Sequence, residues 1–196
     1  MREAHELMTE PLTDVAPSAP SAPVSGLVYA DVPNRAIAYI IDAIIVGVFI
    51  VIIGSILAAI GLATSTIGPN AVIETNYVAT IIFGLIGIAI SGAYFVYTWT
   101  SMRATIGMKV LSMQIGNAGD GKTLTTNQAL RRFAALTAPS VLAQVFAPIP
   151  AIGTLLGLVA FGWFIYLLYT TAKSPTKQGF HDVFANTQVV KAAKSV

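Results

Sequence analysis

Hydrophobic and polar positions fall into long separate blocks along this chain, with little of the scatter that an amphipathic soluble domain shows. Residues 1–30 open polar and turn Pro/Ala/Ser-rich, a composition that cannot bury a core and predicts a disordered tail. Residues 36–62, AIAYIIDAIIVGVFIVIIGSILAAIGL, carry one charge, Asp42. About 20 apolar residues cross a bilayer, so this block predicts one slightly long helix. A linker with a Gly-Pro turn follows, and residues 77–99 predict a second span. That span ends in Tyr94, Tyr97 and Trp99, as an interfacial aromatic belt would. Residues 100–132 are a polar loop. The next apolar region is too long for one helix and holds Pro139, Pro148 and Pro150. The Pro-Ile-Pro turn divides it into a short helix at 133–147 and a clear span at 151–171, and a polar, basic C-terminal stretch completes the chain.

Composition makes the solvent explicit. The chain is 55% hydrophobic and 10% charged, with mean hydropathy +0.74; a soluble domain carries about 25% charged residues. The fold class expected is an all-α membrane protein, a small bundle of about four helices over residues 31–191, with the lipid bilayer as its first partner. Small residues at Gly47, Gly54 and Gly61, at Gly84, Gly87, Ser91 and Gly92, and at Gly153 and Gly157 predict close helix packing. All eleven Lys and Arg lie before the first span, in the 100–132 loop or after the last span, and none lies in the linker between the first two helices. The positive-inside rule then puts both termini and the central loop in the cytoplasm. That requires an even number of crossings, and four fit. A re-entrant or interfacial 133–147 segment is the alternative.

Chemistry is sparse. Without cysteine there are no disulfides and no thiol sites, and His5 and His181 stand far apart, so no metal cluster or cofactor is expected. No nucleophile–base–acid constellation points to an enzyme, and nothing points to a nucleic-acid partner. One stretch does look explicit: GNAGDGKT, with Gly116, Gly121, Lys122 and Thr123, spells a phosphate-binding loop between strand-like VLSMQI and helix-like TTNQALRRF. Its Asp120-Gly121 pair is equally a hairpin turn, and Thr125 with Gln128 is a capping box that starts a helix. No second apolar strand ends in an acid to hold Mg²⁺, so the match reads as a decoy.

In the first helix Arg35 and Asp42 are seven residues apart, close to two turns, with Tyr39 between them on the same face. A carboxylate facing lipid there would cost about 2.5–3.5 kcal/mol. Asp42, with Tyr39, is therefore either an ion or proton site or a structural anchor.

Several pieces taken in order, NRAIAYIID, TIGMK at 105–109, the Asp-Gly turn, QALRR and QGFHDVFANTQVV, resemble the RDD family of bacterial membrane proteins, named for one Arg and two Asp. By position the named residues are Arg35, Asp42 and Asp182. The resemblance implies a multi-pass protein of the bacterial inner membrane; no reaction is securely assigned to the family, and transport has been suggested. It also predicts that Asp182, beyond the last helix, contacts Arg35, and VFANTQVV can run as a strand beside VLSMQI. Three functions compete: a small proton- or cation-coupled carrier using Asp42, expected as a homo-oligomer; a non-enzymatic scaffold whose Pro-rich tail recruits a cytoplasmic partner; and a nucleotide binder resting on GNAGDGKT alone.

Overall fold

The computed structural model describes residues 27–192. Expectations for the tail before residue 27 and for residues 193–196 fall outside the described residues. The chain begins with β1 (Leu27–Tyr29), so the last residues assigned to a disordered tail are an ordered edge strand. Helix α1 (Val32–Ala59) starts four residues earlier than expected, because Asp31 caps it by accepting from the Asn34 amide and Pro33 occupies its first turn. The linker forms a small hairpin, β2 (Ser65–Ile67) with β3 (Ile73–Thr75). Helix α2 (Tyr77–Tyr97) is capped by Asn76 and runs on into one π turn, Thr98–Met102. Then follow α3 (Ile106–Val110), β4 (Met113–Asn117), α4 (Thr126–Val145), α5 (Pro150–Lys173), α6 (Phe180–Ala185) and β5 (Thr187–Ala192).

The protein is thus mostly helical but not all-α. Strands β1, β5 and β4 form an antiparallel sheet in that order, with Tyr29 opposite Val190 and Ile115 opposite Val189. VFANTQVV does pair with VLSMQI. Among the described residues no strand lies between the Asp-Gly turn and α4, so the predicted local hairpin is replaced by the long-range pairing of β4 with β5. The turn itself forms: Gly121 has φ +67°, its amide donates to Asn117 O, and the Asn117 amide donates to Lys122 O, both at 2.9 Å.

Among the described residues three helices are long and apolar enough to cross a membrane: Val32–Ala59, Tyr77–Met102 and Pro150–Lys173. Their outward faces carry large apolar side chains, with Val51 67%, Leu158 65% and Phe161 64% exposed. Faces of this kind are solvated by lipid and not by water, which makes this an integral membrane protein. Helix α4 falls short because its capping box starts it at polar TNQALRR, seven residues before the predicted span. The apolar core lies at the sheet end instead, where Ala30, Ala38, Trp99, Met113, Ile115, Ala129 and Val189 meet. Only part of the small-residue pattern mediates packing. Gly54 faces Phe83, Gly84 faces Gln144 and Gly92 faces Phe133, whereas a Cβ on Gly47 or Gly157 would meet nothing within 4 Å.

Candidate functional site

Two buried carboxylates organise the sheet end. Asp182 is the third residue of α6, and its Oδ2 accepts from the Gly179 amide at 3.0 Å, closing the first turn of that helix. Oδ2 also takes Arg35 Nη1 at 2.7 Å, the contact predicted from the sequence, and His181 Nε2 lies 3.3 Å away. Oδ1 takes Arg132 Nη1, which bonds Thr187 Oγ1 at 2.7 Å as well. Arg35 Nε donates to Ala30 O at 2.9 Å, and the Ala30 amide donates to Val189 O. One fully buried carboxylate therefore joins α1, α4, α6 and β5. Burial works to raise the Asp182 pKa, but the Arg132 and Arg35 guanidiniums outweigh it and hold the carboxyl far below the usual range. His181 is driven the other way. Burial above all lowers it to about 3, Asp182 opposes that shift, and the two arginines add to it, so the ring is neutral at physiological pH.

Arg132 is the member that sequence reasoning missed. A signal was present: Ala129, Arg132 and Ala135 recur at three-residue spacing and form the buried stripe of α4. Arg131, on the other face, instead lies 4.9 Å from the Phe184 ring centroid. Trp99 covers Arg132 at 5.2 Å.

Asp42 is 2% exposed and has different partners from those expected. Its Oδ1 accepts from Tyr94 Oη at 2.6 Å and from the Gly107 amide at 2.8 Å, and its Oδ2 accepts from Thr105 Oγ1 at 2.5 Å. Neither Arg35 nor Tyr39 reaches it; Tyr39 is half-exposed on the outer surface, so the proposed Arg35–Tyr39–Asp42 stripe does not close. The anchor comes from TIGMK. Thr105 caps α3 through the Met108 amide, and the free amide of the first turn faces the Asp42 carboxylate. Gly107 has to be glycine, because a Cβ there would lie 2.2 Å from Ala38 O. Lys109 has no part in this: its Nζ is 3.5 Å from Met102 Sδ and makes no bond to Asp42. The aromatic belt is corrected too, since Tyr94 binds Asp42 and Trp99 is 3% exposed, leaving Tyr97 facing outward.

The arrangement recurs over most of the chain as a known pattern: the model of the RDD family matches residues 29–186. The chain belongs to the RDD family. No curated protein matches the chain, and no solved structure does. Arg35, Asp42 and Asp182, the residues singled out by the resemblance, lie within the matched range, and the fold divides them between two sites. Arg35 and Asp182 meet directly, while Asp42 is held separately by Tyr94, Thr105 and Gly107. Both sites border one cavity of about 320 Å³, lined mainly by apolar side chains of α1, α2, α4 and α5.

GNAGDGKT contributes no site geometry. Four of the loop's amides are already bonded within the chain: Ala118 N to Asn186 O, Gly119 N to Asn117 Oδ1, Gly121 N to Asn117 O and Lys122 N to Asp120 Oδ1. Arg103 Nη2 binds Gly121 O, and Lys122 faces outward near Asp120. Helix α4 begins only at Thr126, beyond Lys122 and Thr123, so no helix N-terminus faces the loop.

Proposed function

We propose that this RDD protein is a non-enzymatic scaffold or assembly protein of the bacterial cytoplasmic membrane, in which the family's charged residues pin apolar helices to a polar cap. In this reading the three-stranded sheet and both termini are cytoplasmic. Arg103, Lys109, Lys122, Arg131, Arg132, Lys177 and Lys191 belong to segments around the sheet, whereas the β2–β3 hairpin carries only Glu74 as a charge. The Pro/Ala/Ser-rich tail would leave from the β1 side and recruit a partner there.

The observation that carries the reading is the internal hydrogen bonding of Asp42. Its two oxygens accept three hydrogen bonds, all from neutral donors of the chain itself, at 2% exposure. A carrier carboxylate must exchange its ligand for a proton or cation in each cycle, and breaking this set would release α3 from α1. The geometry therefore favours an anchor over a shuttle. One fact favours the carrier as a second reading: Asp42 borders the same cavity as Arg35 and His181.

Asp42→Asn separates the two. The isosteric amide puts an NH₂ against donors, so the scaffold reading expects a lower melting temperature in detergent and no change in cation or proton flux relative to wild type in proteoliposomes. A wild-type flux that disappears in Asp42→Asn while the protein stays folded would establish the carrier instead.

A further inference from the structure

The cavity beside the two carboxylates has a shape and a charge that the anchoring role does not use. Tyr39, Ile40 and Phe164 line it and are also 54%, 57% and 45% exposed, so its mouth opens sideways between α1 and α5, toward the lipid layer. Its inner end is formed by Arg35, Arg132 and His181, beside Phe95, Trp99 and Leu136. At that end two guanidiniums face Asp182, while the other carboxylate that lines the cavity, Asp42, is bonded by Tyr94, Thr105 and Gly107 and reaches neither arginine. Arg35 Nη2 and Arg132 Nε are also buried donors with no hydrogen-bond partner among the described residues. Unused charged donors are costly to bury, and a single anionic group at this end would satisfy both.

We propose that the cavity binds a single-chain amphiphile with one negative charge, a long-chain carboxylate, which enters from the bilayer between α1 and α5. The carboxylate sits at the Arg35–Arg132 end and the chain lies along Phe95, Leu136, Phe164 and Leu168. The volume, at the small end of ligand sites, admits one acyl chain and not two. Binding here is distinct from the role of Asp42 and would stand whether or not the protein carries cations.

Trp99 lines the cavity and reports occupancy once the second tryptophan, Trp163 of α5, is replaced by Trp163→Phe. In nanodiscs of phosphatidylcholine, a brominated long-chain fatty acid should quench Trp fluorescence saturably. Its methyl ester should need a concentration about tenfold higher, because the charge-assisted bonds are gone. Acetate should not displace the fatty acid. Thr137→Phe fills the cavity away from the ion cluster and should abolish saturable quenching without lowering the melting temperature. Arg132→Lys keeps the charge but removes Nε, and should weaken binding by about tenfold; if that variant does not fold, Thr137→Phe decides. Equal quenching by acid and ester, or by Thr137→Phe and wild type, would overturn the proposal. Brominated phosphatidylglycerol quenching as strongly as the acid would also overturn it, by assigning the site to a phosphodiester headgroup.

Discussion

At His181 the immediate surroundings decide the protonation state. Nε2 faces Asp182, and burial keeps the ring neutral with its pKa lowered to about 3, against about 6.5 in an unfolded chain. Between those values the unfolded chain takes up a proton that the folded one refuses, so stability falls as pH falls through that window. The carboxylates act lower. Asp182 is held far below its ordinary value, and Asp31 is lowered to about 2, first by the Asn34 amide and also by Lys191, so their contributions are lost only below about pH 4. The melting temperature in detergent should therefore decline on acidification from about pH 7 to pH 5. In His181→Asn, which keeps a donor for Asp182 but cannot titrate, that decline should be absent. An unchanged slope in the variant would show that another group titrates. The residue identities at this site were partly legible: Arg35 and Asp182 could be paired from their positions, but Arg132 hid in the doublet Arg131-Arg132, where only the helical register separates the buried residue from the exposed one.

Short elements do the joining. Helix α3 has five residues and would not be stable alone; it persists because Thr105 caps it and Asp42 accepts its first-turn amide. The closeness of α3 to α1 rests on Gly107. Gly107→Ala should lower stability by about 1–3 kcal/mol through overpacking against the Ala38 carbonyl. The same substitution at Gly47, which faces open space, should be neutral in a parallel detergent melt. A Gly107→Ala protein as stable as wild type would mean that α3 is not docked against α1. Such short elements leave little trace in a sequence, because five residues carry no hydrophobic period. Capping chemistry, by contrast, is local and was legible: Thr125 with Gln128 starts α4 as expected.

Across the molecule, the apolar faces and the charge distribution set two different problems. Gln144, one residue before the end of α4, packs on Gly84, seven residues or about 10 Å into α2. Helix α4 is the long helix that does not meet the length and apolarity of a span, whereas α1, α2 and α5 do. The absence of cysteine makes the orientation directly measurable. With the sheet cytoplasmic, Asp120→Cys in intact cells should resist a membrane-impermeant maleimide and react only after lysis, while Asn70→Cys in the hairpin turn should react from outside. The reverse pattern would invert the proposed topology.

The sequence by itself determined the solvent of this protein, its family and three of its four expected spans. Those properties reside in runs of about 20 apolar residues and in short capped or charged stretches, which act locally. Only the tertiary structure decided what the charges hold. Asp42 and Arg35 share a helix yet serve separate sites, because Tyr94, Thr105 and Gly107 come from the end of α2 and from α3, whereas Asp182 and Arg132 arrive from α6 and α4. Pairing across 147 residues depends on how helices stack, and no local pattern encodes that. GNAGDGKT shows the converse: its letters match a phosphate loop, but four of its amides are spent on Asn117, Asp120 and Asn186.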